Sequence, residues 1–301
     1  MSAWTIAGVL LMVVSEAATL ARIEPFYSWN TPIAWTGFIV FADSLVYRKR
    51  GRSWIRSAPR EFTFLALVSI PLWLIFEFYN LYIDNWYYVG LPENTALRLF
   101  GYAWSFATIW PAIFEAADLI DVWRGAPRAT IESRHVRPAI GDEWKVAALA
   151  LSLGTAMLMW PLLWPSRYLA APVWLGFIFL LEPINVRLGG ESLYGDAGTG
   201  EWARPINLML SGLLCGILWE FWNYWAGAKW HYTVPIMEDL KIFEMPVPGY
   251  LGFPAFALEC FTMYVFVRAV AVRVFPGLAR DFTRQIGVST SIVTSPRSRV
   301  H

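Results

Sequence analysis

This chain is poor in charge, in histidine and in cysteine. Of its 301 residues only 16% are charged, where a soluble domain has about a quarter, while 57% are hydrophobic and the mean hydropathy is +0.44. That balance excludes an ordinary soluble domain and describes a membrane chain. Lys and Arg number 24 against 23 Asp and Glu, a net charge of +1, so no charge excess points to a nucleic-acid partner. The three histidines are His135, His231 and His301, which argues against a histidine-rich zinc or di-iron centre. A hard cation held by carboxylates alone stays open as chemistry, but no particular metal or cofactor is expected. The two cysteines, Cys215 and Cys260, both lie in apolar runs and read as packing residues rather than a disulfide. No Gly-x-Ser-x-Gly elbow or Cys/His pair is present. Gly195-Asp196-Ala197-Gly198-Thr199-Gly200 lacks the Lys-Ser/Thr and the preceding strand of a phosphate loop, and reads as an ordinary loop.

What the chain does have is long apolar runs, aromatics and an internal repeat. Ile75-Phe76-Glu77-Phe78-Tyr79-Asn80 returns as Leu218-Trp219-Glu220-Phe221-Trp222-Asn223 at an offset of 143. Trp86-Tyr87-Tyr88 returns as Trp230-His231-Tyr232 and Glu115 as Glu259, both at an offset of 144. Arg98-Leu99-Phe100 matches Lys241-Ile242-Phe243, and Pro32 to Ile39 matches Pro172 to Ile178 with one deletion. A glutamate within an apolar run is thus kept in both copies.

A helix needs about 20 mostly apolar residues to cross the hydrocarbon layer. Eight segments qualify, at about 3–21, 31–47, 62–80, 102–122, 144–163, 169–186, 205–224 and 250–272. Their continuous apolar character excludes a lipid-facing barrel, whose strands alternate. The expected fold is therefore all-α, a polytopic membrane protein of eight transmembrane helices built as a parallel tandem repeat of four-helix units. Its expected parts are a first repeat over 1–125, a cytoplasmic link over 126–142, a second repeat over 143–280 and a disordered cytoplasmic tail over 281–301. Residues 1–21 lack the basic n-region of a cleaved signal peptide, and 144–164 occupy the same place in the second copy, so the first run reads as a retained helix.

Arginines set the orientation. Arg48, Lys49, Arg50, Arg52, Arg56 and Arg60 follow the second span, and Arg124, Arg128, Arg134 and Arg137 lie between the copies. Residues 81–97 contain no Lys or Arg. Both termini are then expected in the cytoplasm of a cell (inner) membrane, with an even number of spans per copy making the repeats parallel. The aromatic links 81–101 and 225–249 fall outside, as interfacial segments or lids.

Four carboxylates are the expected catalytic groups: Glu77 and Glu220 near the outer ends of their spans, and Glu115 and Glu259 roughly 15–20 Å deeper at 1.5 Å per residue. Pro111 and Pro254 precede the deeper pair and would kink the helix beside them. Asn80 and Asn223 share a helical face with the first pair. With Trp86, Tyr88, Trp222, Trp230, His231 and Tyr232 they make up the expected substrate-binding set. Asp43 and Glu182 also correspond between copies and read as acids paired with nearby arginines. A neutral carboxylic acid in an aromatic-walled cavity can protonate an alkene, ring faces can steady the cation, and a second carboxylate can take a proton back.

Trp219-Glu220, Trp230-His231-Tyr232, Lys241-Ile242-Phe243 and Pro254 with Glu259, echoed by Glu77, Trp86-Tyr87-Tyr88, Arg98-Leu99-Phe100 and Pro111 with Glu115, resemble the small membrane lycopene cyclases of carotenoid synthesis. The likeness covers about 50 residues per copy. The family's Pro-x-Glu-Glu signature is absent, its nearest equivalents being Pro92-Glu93-Asn94 and Pro111 to Glu115. The resemblance implies two similar helical units and a non-redox, cyclisation-type reaction on an isoprenoid. Two other classes stay open: a proton- or cation-coupled transporter with its site between the repeats, and a non-catalytic pigment-, lipid- or assembly-type subunit. The expected partner is a membrane lipid or isoprenoid; the sequence fixes no oligomeric state.

Overall fold

A computed structural model of the chain describes residues 2–125 and 143–288. The expected link over 126–142 and positions 289–301 of the expected tail lie outside the described residues. Long helices form at all eight apolar segments: α1 (Ala3–Leu20), α2 (Phe26–Arg50), α4 (Pro59–Ile83), α5 (Thr95–Arg124), α6 (Glu143–Leu163), α7 (Ala170–Arg187), α9 (Ala203–Trp225) and α10 (Gly252–Val274). Two short helices, α3 (Trp54–Ser57) and α8 (Leu193–Thr199), interrupt the connections after α2 and α7. Six of the eight long helices are long and apolar enough to cross a membrane; α2 and α5 fall short. Those two are buried along much of their length, α5 from Phe106 to Asp121 almost without a break. A helix walled by protein need not be apolar toward lipid, and acids such as Asp43, Glu115 and Asp118 sit on these two.

The second half repeats the packing of the first. α1 lies on α2 and α6 on α7; α2 lies on α5 and α7 on α10; α4 lies on α5 and α9 on α10. Each outer pair meets through small residues. A Cβ on Gly8 would sit 2.7 Å from the Gly37 carbonyl oxygen, and one on Gly154 would sit 2.8 Å from that of Gly176 and 2.4 Å from the Leu180 nitrogen. Such glycines let backbones approach where no hydrophobic effect drives helices together in lipid. Gly154→Val is expected to cost about 1–3 kcal/mol by prising α6 from α7. Thermal unfolding in detergent checks this, with Gly277→Ala, which meets nothing within 4 Å, as the control.

The two aromatic links pair with each other. β1 (Trp86–Val89) and β2 (Lys229–Tyr232) form an antiparallel ribbon in the register Trp86↔Tyr232, Tyr87↔His231 and Tyr88↔Trp230. The second link also folds a small hairpin, β3 (Lys241–Ile242) with β4 (Met245–Pro246). The expected interfacial lids are thus a closed two-stranded cap at one end of the bundle, here the ribbon end.

At the opposite end, arginine and carboxylate side chains interlock. Asp196 bonds Arg204 at 2.6 Å, Arg204 bonds Glu191 at 2.5 Å, Glu191 bonds Arg268 at 2.8 Å and Arg268 bonds Glu61 at 3.2 Å. Glu61 in turn accepts the Arg284 backbone N–H at 3.0 Å. The Arg284 guanidinium reaches Asp118 at 2.5 Å, and Arg50 joins Asp118 to Asp121 at 3.1 and 2.5 Å. Burial of both signs together, each with hydrogen bonds, is what makes such charges tolerable away from water. Residues 281–288 are part of this plug: Ile286 is fully buried and Arg204 donates to its carbonyl. The disordered tail expected from 281 onward does not hold over 281–288.

Candidate functional site

Between the ribbon and the helices lies a cavity of about 400 Å³. Its walls are aromatic: Trp35, Trp73, Trp174, Trp219 and Phe256 from five helices, with Trp86, Tyr88, Trp230 and Tyr232 from the ribbon. Phe76 stacks behind on Trp174 at 5.0 Å, and Trp219 packs on Trp230 at 5.2 Å. Gly101 and Gly252 leave room where larger side chains would intrude.

Glu77 and Glu220 stand directly behind this wall. Both lie about one and a half turns before the end of α4 or α9 and are bonded by the strand that follows. The Tyr88 hydroxyl donates to Glu77 Oε1 at 2.6 Å, and the Trp73 and Trp86 indoles donate to the same oxygen at 2.7 and 3.3 Å. In the other copy the Tyr232 hydroxyl donates to Glu220 Oε1 at 2.7 Å and receives the Trp230 indole N–H at 2.8 Å. Burial first, and then the neighbouring carboxylate, pushes both phenols well above their ordinary range. Both tyrosines therefore hold their protons at any ordinary pH. They face the cavity, and the carboxyls reach it through them.

The remaining expected site residues divide. Asn80 and Asn223 are clamps: Asn80 Nδ2 donates to the Trp86 carbonyl at 2.8 Å, and Asn223 Nδ2 donates to that of Trp230 at 2.9 Å. Each amide oxygen accepts a backbone N–H in return, from Asn85 just before β1 at 2.9 Å and from Trp230 of β2 at 2.9 Å. Trp222 packs on Trp35 at 4.8 Å, away from the cavity lining. His231 sits outside the lining too, its ring against Tyr87 at 5.7 Å and Nδ1 on Glu244 Oε2 at 2.9 Å.

Glu115 and Glu259 do not join the cavity. Glu115 is fully buried near Asp43 and Asp118 at the edge of the charged plug, with both carboxylate oxygens lacking a hydrogen-bond partner among the described residues. Glu259 is buried against α7, where it accepts the Phe177 backbone N–H at 3.1 Å. In front of Glu115 a side chain joins the helix ladder: the Ser69 hydroxyl donates to the Phe106 carbonyl and accepts the Trp110 N–H at 3.2 Å. That contact lies immediately before Pro111, whose missing N–H frees the adjacent carbonyl of Ala107.

Asp43 and Glu182 turn out to be equivalent caps. Asp43 Oδ1 accepts the Ile55 N–H at 2.8 Å at the start of α3, and Glu182 Oε2 accepts the Tyr194 N–H at 3.1 Å at the start of α8. Arg56 approaches Asp43 only at 3.7 Å, and Arg187 is not the partner of Glu182, which instead takes Ser192 and Thr262. The glycine-rich stretch 195–200 is thus mostly the helix α8, capped by Ser192.

Sequence reasoning missed Trp35, Trp174 and Phe256 as walls. Their signal was available for the first two, since Trp35 and Trp174 correspond in the repeated Pro32 and Pro172 segments. No family model, curated protein or solved structure matches this chain.

Proposed function

We propose that this is a multi-pass membrane protein that takes an isoprenoid or other lipophilic molecule into the aromatic cavity and acts on it by non-redox acid–base chemistry. One observation carries the reading: two tyrosines on one ribbon, each backed by a carboxyl, project from opposite halves onto a single aromatic chamber. While Glu220 is ionised, its charge helps hold the Tyr232 proton in place; a protonated Glu220 can replace a proton that Tyr232 gives to an alkene carbon. Trp219 and Trp230 faces then lie where a carbocation gains from ring quadrupoles. Loss of a proton from a neighbouring carbon to the Tyr88–Glu77 pair restores neutrality, so atoms and charge balance without an oxidant. In this scheme Tyr88 and Tyr232 meet the ligand, and Glu77 and Glu220 supply and accept protons behind them. Trp86 and Trp230 bind the apolar body. Glu115 and Glu259 stay outside the reaction.

The architecture we propose is eight spans in two parallel four-helix repeats, 1–125 and 143–280, related by a pseudo-twofold along the membrane normal. Two features support it. The ribbon register maps onto itself when the copies are exchanged, with Tyr87↔His231 at its centre. The helix contacts of one half recur in the other. The chamber then lies on the axis, which explains why one cavity draws on both copies. With the arginines on the cytoplasmic side of an inner membrane, Thr95→Cys and Asp239→Cys at the ribbon end label from outside, and Arg60→Cys and Gly277→Cys only after permeabilisation. Cys215 and Cys260 are buried and do not compete. The reverse labelling overturns the orientation, and a mixture overturns the span count.

The transporter alternative keeps one argument, the buried acids Glu115 and Glu259. Against it, the end opposite the cavity is filled by the ionic plug and residues 281–288. Identification of the lipid retained through purification in mild detergent, followed by its conversion in vesicles, separates an enzyme from a carrier: chemical change without net movement supports the proposal, and movement of unchanged lipid or protons refutes it.

A further inference from the structure

We infer that the ligand of this cavity is an anionic amphiphile, an oxyanion carried on a long apolar chain. The inference rests on the cavity reading above and adds the chemical class of the ligand. Among the described residues lining the cavity, every charged one is basic: Arg98 from the first turn of α5, Arg167 from the turn between α6 and α7, and Lys229 from the first position of β2. Three separate parts of the chain thus converge with one sign of charge, and no Asp or Glu lines the same space.

Two of the three are partly neutralised. Arg167 bonds Asp84, and Lys229 reaches Glu244 at 3.4 Å. Arg98 forms no ion pair among the described residues; its guanidinium makes a long 3.5 Å contact to the Pro92 carbonyl. A guanidinium is a fork of donors that fits a carboxylate or phosphate. A second observation is independent of charge. The indole N–H groups of Trp29 and Trp35, both on α2 and both cavity-lining, are buried without a hydrogen-bond partner. An indole N–H can only donate, and a buried donor left unpaired is costly, so an acceptor on the ligand completes these sites. Most of the remaining wall is tryptophan, phenylalanine and aliphatic side chains, which fits an apolar body.

The test uses the full chain in neutral detergent and three probes that share one saturated chain: cetyl alcohol, palmitate and cetyl phosphate, titrated calorimetrically at pH 8. Each anion is expected to bind at least about tenfold more tightly than the alcohol. Arg98→Gln should abolish that preference while leaving alcohol affinity unchanged, and Arg98→Lys should restore part of it. Lys229→Gln, read the same way, serves if Arg98→Gln does not fold. The stronger of the two anions names the head group, and either result supports the inference. Equal affinity for alcohol and anions would overturn the anionic class while leaving the apolar cavity reading intact. Failure of all three to bind would overturn both.

Discussion

Glu220→Gln is expected to lower turnover of the lipid held in the cavity by about 10²–10⁴-fold, the usual contribution of a positioned proton transfer. The amide keeps size and accepts from the Tyr232 hydroxyl, but it has no proton to relay. Melting should move little, because the 2.7 Å contact to Tyr232 survives. Tyr232→Phe should match it in turnover, since it removes the group that meets the ligand, and the double variant should be no worse than either single one if the two act as a unit. Glu77→Gln tests the other pair. Glu77 Oε1 accepts three donors, contacts that a glutamine oxygen can keep, so loss of Glu220, the proposed proton donor, should be the more severe. A merely structural carboxyl would instead cost about 1 kcal/mol of stability and leave turnover near wild type. The pH profile gives a further discriminant: an alkaline limb, where activity falls as Glu220 gives up the proton it relays, that disappears in Glu220→Gln belongs to the relay, whereas a packing defect leaves the profile's shape alone.

The second large effect is on stability. Asp118→Ala is expected to destabilise the protein by about 3–5 kcal/mol, because removing one partner of a buried ion pair strands the others. Asp118 is fully buried between Arg50 at 3.1 Å and Arg284 at 2.5 Å. Its loss leaves two guanidinium groups competing for Asp121 and frees the 281–288 segment to leave its seat. Substituting Arg284→Met on the Asp118→Ala background should recover part of the loss, a coupling that a double-mutant cycle in detergent measures. If Asp118→Ala melts like the wild type, the Asp118 ion pairs contribute nothing and 281–288 is held by buried Ile286 and by its backbone bonds to Glu61 and Arg204.

The helices were legible because about 20 apolar residues in a row carry their own signal, and all eight long helices form where apolar runs occur. Their ends shifted outward, as in α2, which begins at Phe26 and runs to Arg50, because polar and aromatic residues continue a helix beyond its apolar stretch. The ribbon was not legible as a ribbon. Its strands are four residues each and lie some 140 residues apart, so no local period announces the pairing. What the sequence did carry was the equivalence of Trp86 with Trp230 and of Tyr88 with Tyr232, and the observed antiparallel register, centred on Tyr87↔His231, is the one that exchanges these equivalent residues.

The site divided along the same line. Glu77 and Glu220 could be singled out because each is an acid in an apolar run, but their role depends on the tyrosines that fold back onto them, at 11 and 12 residues' distance. Glu115 and Glu259 gave the same sequence signal and went elsewhere, one to the edge of the plug and one to a backbone N–H on α7. Periodicity cannot tell an acid that backs a cavity from an acid buried between helices; only the neighbouring helix decides. The plug itself was invisible for that reason. Glu61, Glu191, Arg204, Arg268 and Arg284 are far apart in the chain and close only after folding.

The central claim, that a lipophilic molecule occupies the aromatic chamber in front of the two tyrosines, is tested most directly by native mass spectrometry of the purified protein and of Ala255→Trp, which fills the chamber from α10. The wild type should carry one small lipophilic molecule per chain, Glu220→Gln should keep it, and Ala255→Trp should lose it while melting close to the wild type. A wild-type chain that carries nothing, or an Ala255→Trp chain that retains the same molecule in the same amount, would contradict the account.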